Sequence, residues 1–119
     1  MLLFFSEGKA FRMFLFVSDV VSAVETILLS GKSQNIYNIG KQDQYSVIQI
    51  ATLLLQKLKP DHPLHNWIEF VPDRCFNDCR YSVNTQKLND LGWESKVSFE
   101  EGLLKTIEWY TSSTTDSLP

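Results

Sequence analysis

The densest group of chemically capable side chains lies between Asp73 and Tyr81. Nine positions, D-R-C-F-N-D-C-R-Y, hold two arginines, two carboxylates, an amide and a phenol. An arginine guanidinium presents a planar fork of donors that matches phosphate oxygens, and a tyrosine offers a ring and a hydroxyl to a base or a sugar. One interpretation of the stretch is therefore a binding site for a phosphorylated ligand. The residues leave a second interpretation open, a loop held by its own Asp–Arg pairs.

The sequence contains only weak signals for a zinc site, and none for a catalytic nucleophile or a dinucleotide-binding loop. His62-x-x-His65 with Cys75-x-x-x-Cys79 contains zinc-ligand types, but a predicted strand separates the pairs, unlike the closely spaced pairs of a zinc finger. Two loop histidines and two free thiols in a reducing cytosol are the simpler interpretation. No serine stands in a G-x-S-x-G motif, neither cysteine belongs to a catalytic signature, and no G-x-G-x-x-G is present to hold a dinucleotide.

Charge and composition exclude several classes of protein. The 119 residues carry a formal net charge of -3 and 44% hydrophobic residues, as expected for one globular domain without a basic surface for nucleic acid or anionic membrane. The apolar start lacks the charged n-region of a signal peptide. Arg12, Asp19 and Glu25 interrupt the longer apolar stretch, which argues against a membrane span.

Helical periodicity and capping signals predict the helices. Apolar residues recur at helical spacing from Asp19, on a face of Val20, Val21, Val24, Ile27 and Leu28, and Gly31 ends the helix. Two capping boxes, Ser46 with Gln49 and Ser98 with Glu101, predict two further helix starts. The helix after Ser46 should bury Val47, Ile50, Ala51, Leu54 and Leu58, and the helix after Ser98 should bury Phe99, Leu103, Ile107 and Tyr110. Asn84 begins a short helix that runs to Leu91 and stops at Gly92.

Short β-prone runs alternate with these helices. The predicted strands are Leu2–Phe5, Arg12–Val17, Asn35–Gly40 and Trp67–Val71. Strands that alternate with helices predict the α/β class. No internal linker is long enough to divide the chain, so residues 1–110 are predicted to form the folded part. The polar residues 111–119 are predicted to be a disordered tail.

Motifs throughout the chain resemble one enzyme family. They are F-V-S-D-V-V-x-A (Phe16–Ala23), N-I-Y-N-I-G (Asn35–Gly40), the D-R-x-F-N-D-x-R-Y block, N-x-x-K-L-x-x-L-G-W (Asn84–Trp93) and E-G-L-x-K-T-I-E-W-Y, which ends at Tyr110. In this order and spacing they resemble the end of nucleotide-sugar 4,6-dehydratases, which belong to the extended short-chain dehydrogenase/reductase family. The resemblance implies the C-terminal substrate-binding portion of that fold, with an incomplete Rossmann sheet.

The resemblance also implies four substrate-binding residues. Arg12 and Arg74 stand where the family contacts the nucleotide diphosphate, Asn77 stands where members place histidine or asparagine against the nucleotide, and Tyr81 ends the block near the same ligand. Cys75 replaces the proline usual after D-R, so the loop is expected to be less rigid.

The family's cofactor and catalytic residues are not among the 119. Full-length members bind NAD, act on dTDP- or UDP-glucose and are homodimers, whereas the glycine-rich loop and the Y-x-x-x-K pair are absent here. This chain alone is expected to bind no NAD, to lack catalytic residues and to reside in the cytoplasm.

Two hypotheses for the function remain. One hypothesis is a partial 4,6-dehydratase, whether fragment, splice product or partial gene model. The other is a short non-catalytic binding or regulatory module from the same family.

Overall fold

The computed structural model describes residues 2–4, 8–72 and 83–113, in which short strands alternate with helices. The strands are β1 (Leu2–Phe4), β2 (Phe11–Met13), β3 (Gln44–Ser46) and β4 (Ile68–Phe70). The helices are α1 (Val17–Ser30), α2 (Val47–Leu58), α3 (Gln86–Asn89) and α4 (Phe99–Ser113), with a 3₁₀ turn at Leu64–Asn66. The predicted α/β class is confirmed.

The described residues form two compact units, each built from separate segments of the chain. Unit 1 contains residues 2–4, 8–13 and 42–72, and unit 2 contains residues 14–41 and 83–113. The predicted boundary at residue 110 stays a prediction. Helix α4 continues through Ser113, and residues 114–119 lie outside the described residues.

Unit 1 consists of two small sheets and α2. Strands β1 and β4 pair in parallel, and β2 pairs antiparallel with β3. The core of the unit joins Ala51 and Leu55 of α2 to Ile68 of β4, with Val47, Ile48 and Trp67 packed around them. Helix and strand thus share one apolar cluster, as an α/β layer requires.

The start of α2 follows its sequence signal closely. The backbone nitrogen of Ser46 donates to Gln49 Oε1 at 2.8 Å, and the Gln49 backbone nitrogen donates to Ser46 Oγ at 3.3 Å. This reciprocal pair is the predicted capping box, which satisfies two orphan donors of the first turn. The predicted apolar face is partly wrong, because Leu55 is buried while Leu58 is exposed.

Unit 2 packs α1 against the chain around α3. Its core consists of Ala23, Leu88 and Trp93, with Leu15, Ile27, Ile39 and Leu91 around them. Helix α3 is shorter than predicted, but Asn84 Oδ1 accepts from the Gln86 backbone nitrogen at 2.9 Å, and Gly92 follows with φ of 90°. At the start of α4, Ser98 Oγ accepts from the Glu101 backbone nitrogen at 3.2 Å, as one half of the predicted capping box.

The predicted face of α1 is partly wrong, although Ile27 packs against the core of unit 2 as predicted. The helix begins at Val17 rather than Asp19, and the strand that was predicted to reach Val17 ends at Met13. Asp19 and Ala23 are its buried residues, whereas Val21, Val24 and Leu28 are exposed. The buried side carries Asp19, whose carboxylate accepts hydrogen bonds from the backbone nitrogens of Lys96 and Val97.

The predicted strand Asn35–Gly40 does not form. These residues have no strand assignment, and neither sheet among the described residues includes them. A strand exists only where a neighbouring strand pairs with its backbone, and the described residues of unit 2 contain no strand.

Candidate functional site

Arg12 is the one predicted substrate-binding residue that lies among the described residues. It occupies the middle of β2, in register with Tyr45 of β3. Its side chain is half-buried, and Nη1 donates to the carbonyl oxygen of neighbouring Phe11 at 2.7 Å. A guanidinium carries five N–H donors in a planar fork, which is the geometry that suits an anion such as a phosphate.

Arg74, Asn77 and Tyr81 lie outside the described residues, as do Cys75 and Cys79. Their predicted roles therefore stay predictions. The chain enters this stretch from β4, whose three residues pair with β1 in the register Leu2 with Ile68 and Phe4 with Phe70.

The residues that follow the stretch are held firmly within unit 2. Thr85 is buried, and the side-chain amide of Asn38 donates to the Asn84 carbonyl oxygen at 3.0 Å. A Cβ built on Gly40 would lie 3.6 Å from the Thr85 side chain and 3.7 Å from that of Val83. The family-like N-I-Y-N-I-G motif thus contacts the start of the N-x-x-K-L motif.

The sequence did not predict that Asp19, in unit 2, is buried. Asp19 is 3% exposed, and its Oδ2 accepts hydrogen bonds from the backbone nitrogens of Lys96 at 3.1 Å and Val97 at 3.0 Å. Charge-assisted bonds of this kind are stronger than neutral ones. The signal in the sequence is an aspartate inside an apolar helix repeat, and its contacts connect α1 to residues 96 and 97.

A small cavity lies beside the end of α2 in unit 1. Its volume is about 190 Å³, and its walls are formed by Thr52, Leu55, Gln56, Lys59, Pro60, His62 and Leu64. Trp67 stands next to two of these residues. Lys59 Nζ is 5.7 Å from the Trp67 ring centroid, and the His62 and Trp67 ring centroids are 6.1 Å apart.

The described part of the chain contains no cluster of metal ligands and no helix that could span a membrane. No group of three or more His, Cys, Asp or Glu side chains converges there, so His62 and His65 have no further metal ligands of these types. The two cysteines of the zinc interpretation fall outside that part. In residues 2–4, 8–72 and 83–113, no helix has the length and apolar character needed to cross a membrane.

The proteins that are similar to this chain belong to the family that its motifs resemble. The chain is 44% identical over 107 residues to a dTDP-D-glucose 4,6-dehydratase from Homo sapiens, an alignment that covers 87% of this chain and 31% of the relative. No protein-family model matches the chain. The chain is therefore homologous to the C-terminal portion of dTDP-glucose 4,6-dehydratases, and the resemblance in its motifs is confirmed.

Solved structures share the fold. A dTDP-glucose 4,6-dehydratase from Streptomyces venezuelae, crystallised with NAD, is 28% identical with a TM-score of 0.85, over 96% of this chain and 35% of that one. A UDP-glucose 4-epimerase from Thermotoga maritima, crystallised with UDP-glucose, is 29% identical with a TM-score of 0.80, over 95% of this chain and 35% of that one. The fold is thus that of the corresponding portion of extended short-chain dehydrogenase/reductase enzymes. The chain spans about a third of the length of these proteins.

Proposed function

We propose that the chain is the C-terminal, nucleotide-sugar-binding segment of an NAD-dependent dTDP-glucose or UDP-glucose 4,6-dehydratase that acts in the cytoplasm. The observation that carries this proposal is the 44% identity over 107 residues to a dTDP-D-glucose 4,6-dehydratase. The fold alone does not separate dehydratases from epimerases, since both are similar to this chain. The sequence match therefore supports the more specific assignment.

In this proposal Arg12 and Arg74 hold the diphosphate of the substrate, and Asn77 and Tyr81 contact the nucleotide. The half-buried position of Arg12 on a paired strand supports its part, because a strand restrains the side chain before the ligand arrives. Two guanidinium groups would balance the two negative charges of a diphosphate by bidentate, charge-assisted hydrogen bonds.

The residues present do not fit NAD. The five glycines of the chain, at positions 8, 31, 40, 92 and 102, include no G-x-G-x-x-G spacing. A dinucleotide needs closely spaced glycines where its pyrophosphate approaches the backbone. We therefore assign the cofactor and the reacting groups to the part of the relatives that this chain does not match.

The experiment that tests the proposal is a chimera. In human dTDP-D-glucose 4,6-dehydratase, this chain replaces the segment that matches it. We expect the chimera to convert dTDP-glucose or UDP-glucose to the 4-keto-6-deoxy sugar. Arg74→Ala should lower kcat/KM by about ten- to a hundredfold, mainly through KM, because a diphosphate contact of about 1.5–3 kcal/mol is the same in ground and transition states.

Matched variants make this test specific. Arg74→Lys should recover part of the loss, since an ammonium keeps the charge without the fork. Lys57→Ala removes an exposed positive charge from α2 and should leave KM unchanged. An unchanged KM for Arg74→Ala with a lower melting temperature would contradict the assignment and make Arg74 a structural partner of Asp73 or Asp78.

The alternative function is a short non-catalytic binding or regulatory module of the same family. Under either function the 119-residue chain alone should form no 4-keto-6-deoxy sugar, with or without NAD. The two functions differ in the chimera. A folded chimera that binds neither dTDP-glucose nor UDP-glucose would favour the module.

A further inference from the structure

The residues that lead into Arg12 run along the start of α2. The backbone nitrogen of Val47, the first residue of α2, donates to the carbonyl oxygen of Ala10 at 3.0 Å. Ala10 is buried, and Arg12 follows two positions later, opposite Tyr45 of β3. The backbone just before Arg12 is therefore joined to the helix start as well as to the neighbouring strand.

Gly8 approaches the same helix start very closely. It is buried and has φ of 69°, a left-handed conformation that favours glycine. A Cβ built there would lie 2.9 Å from the Cβ of Ile48 and 3.2 Å from its backbone nitrogen. Carbon atoms pack at about 3.5–4.0 Å, and no rotation of the Ile48 side chain moves either of these atoms. Both the backbone conformation and the close approach therefore require glycine at this position.

Helix α2 is the fixed member of this contact. Its first turn is held by the capping box of Ser46 and Gln49, and Ile48 packs against the core of unit 1. A side chain at Gly8 would therefore displace residues 8–11 rather than the helix, and Arg12 would move with them.

We propose that Gly8 and the backbone N–H of Val47 are positioning groups for Arg12, which hold its guanidinium where the diphosphate of the nucleotide sugar binds. The inference rests on the proposed function, in which Arg12 contacts that diphosphate. A charge-assisted N–H···O bond needs a donor–acceptor distance of about 2.7–2.9 Å, and a bidentate pair needs two such distances at once. A displacement of β2 by about 1 Å would therefore break at least one of the two bonds.

Two variants of the chimera with human dTDP-D-glucose 4,6-dehydratase test these links. Gly8→Ala adds the Cβ. Val47→Pro replaces the N–H with a ring carbon that pushes Ala10 away, whereas the helix tolerates proline at its first position and the extended Ser46 tolerates proline after it. Each variant should raise KM for the nucleotide sugar that the chimera converts by about three- to tenfold. The kcat should stay within about twofold, because a diphosphate contact is the same in ground and transition states.

A double-mutant cycle shows whether the effect passes through Arg12. Arg12→Ala should itself raise KM by about tenfold or more, since it removes a hydrogen bond to a charged group. In that background Gly8→Ala and Val47→Pro should add less than about twofold, because the group that they position is gone. Gly92→Ala, which places a side chain at another left-handed glycine, in unit 2, is the control: it should lower Tm and leave KM unchanged.

Three results would overturn the inference. The first is an unchanged KM with a lower Tm in both variants, which would give Gly8 and Val47 a structural role only. The second is a rise in KM that is equally large in the Arg12→Ala background. The third is an equal rise in KM for Gly92→Ala, which would make general destabilisation the cause. Val47→Pro decides alone where Gly8→Ala does not fold.

The inference and the proposed function fail in different ways. A folded chimera that binds neither dTDP-glucose nor UDP-glucose would remove the proposed function, and the inference with it. A chimera in which Arg12→Ala raises KM, but Gly8→Ala and Val47→Pro do not, would remove the inference alone.

Discussion

The indole Nε1 of Trp93 donates a 2.9 Å hydrogen bond to the hydroxyl oxygen of Ser22, 71 residues earlier in the chain. The same hydroxyl donates at 2.9 Å to the carbonyl oxygen of Asp19. Ser22 therefore uses its one proton and one of its lone pairs at once. Its bond to Trp93 ties α1 to the chain just after α3, across the core that Ala23, Leu88 and Trp93 form.

Ser22→Ala should lower the free energy of unfolding by about 1–3 kcal/mol, because it leaves the indole N–H of nearly buried Trp93 without an acceptor. Ser22→Thr keeps the hydroxyl and should lose less. The measurement is urea unfolding of the purified chain by circular dichroism. In the background of Trp93→Phe, Ser22→Ala should cost less than it does alone, and additive losses would show that the hydrogen bond carries no coupling.

Asp19→Asn should also lower the free energy of unfolding, by about 1–3 kcal/mol. A neutral amide oxygen accepts more weakly than a carboxylate from the Lys96 and Val97 backbone nitrogens, and hydrogen bonds to charged groups are the stronger class. Glu25→Gln, which neutralises an exposed carboxylate of the same helix, is the matched control and should change stability by less than about 0.5 kcal/mol. Equal losses in the two variants would mean that net charge, rather than this contact, is responsible.

Gly92→Ala should lower the free energy of unfolding by about 1–2 kcal/mol through backbone strain alone. Gly92 has φ of 90°, a left-handed conformation that disfavours side chains, and a Cβ built there would meet no heavy atom within 4 Å. Gly92→Asn should lose less, because asparagine tolerates positive φ better than alanine. The comparison of the two urea midpoints is the measurement, and an alanine variant as stable as the parent chain would contradict the strain.

Local signals predicted the parts of the fold whose physics is local. The capping box of Ser46 and Gln49 joins residues three positions apart, so the start of α2 could be predicted from the residues alone. Gly92 was expected to end α3 because few other residues adopt its conformation, and it has the positive φ that this role requires. The family-like motifs likewise predicted the homology that the comparisons show. For the site, the motifs predicted Arg12, Arg74, Asn77 and Tyr81, and all four roles stay predictions. Arg12 lies on a paired strand.

Tertiary contacts decided the rest. Apolar periodicity could not show which side of α1 is buried, since both sides carry apolar residues and the choice depends on Lys96 and Val97, 77 and 78 positions from Asp19. Residues 35–40 have a strand-like pattern, but pairing needs a neighbouring strand, and residues 14–41 and 83–113 of unit 2 include none. The sequence by itself determined the capped helix starts and the family motifs, because these depend on neighbouring residues. Only the tertiary structure decided which side of α1 is buried and which strand-like runs pair, because both depend on partners far away in the chain.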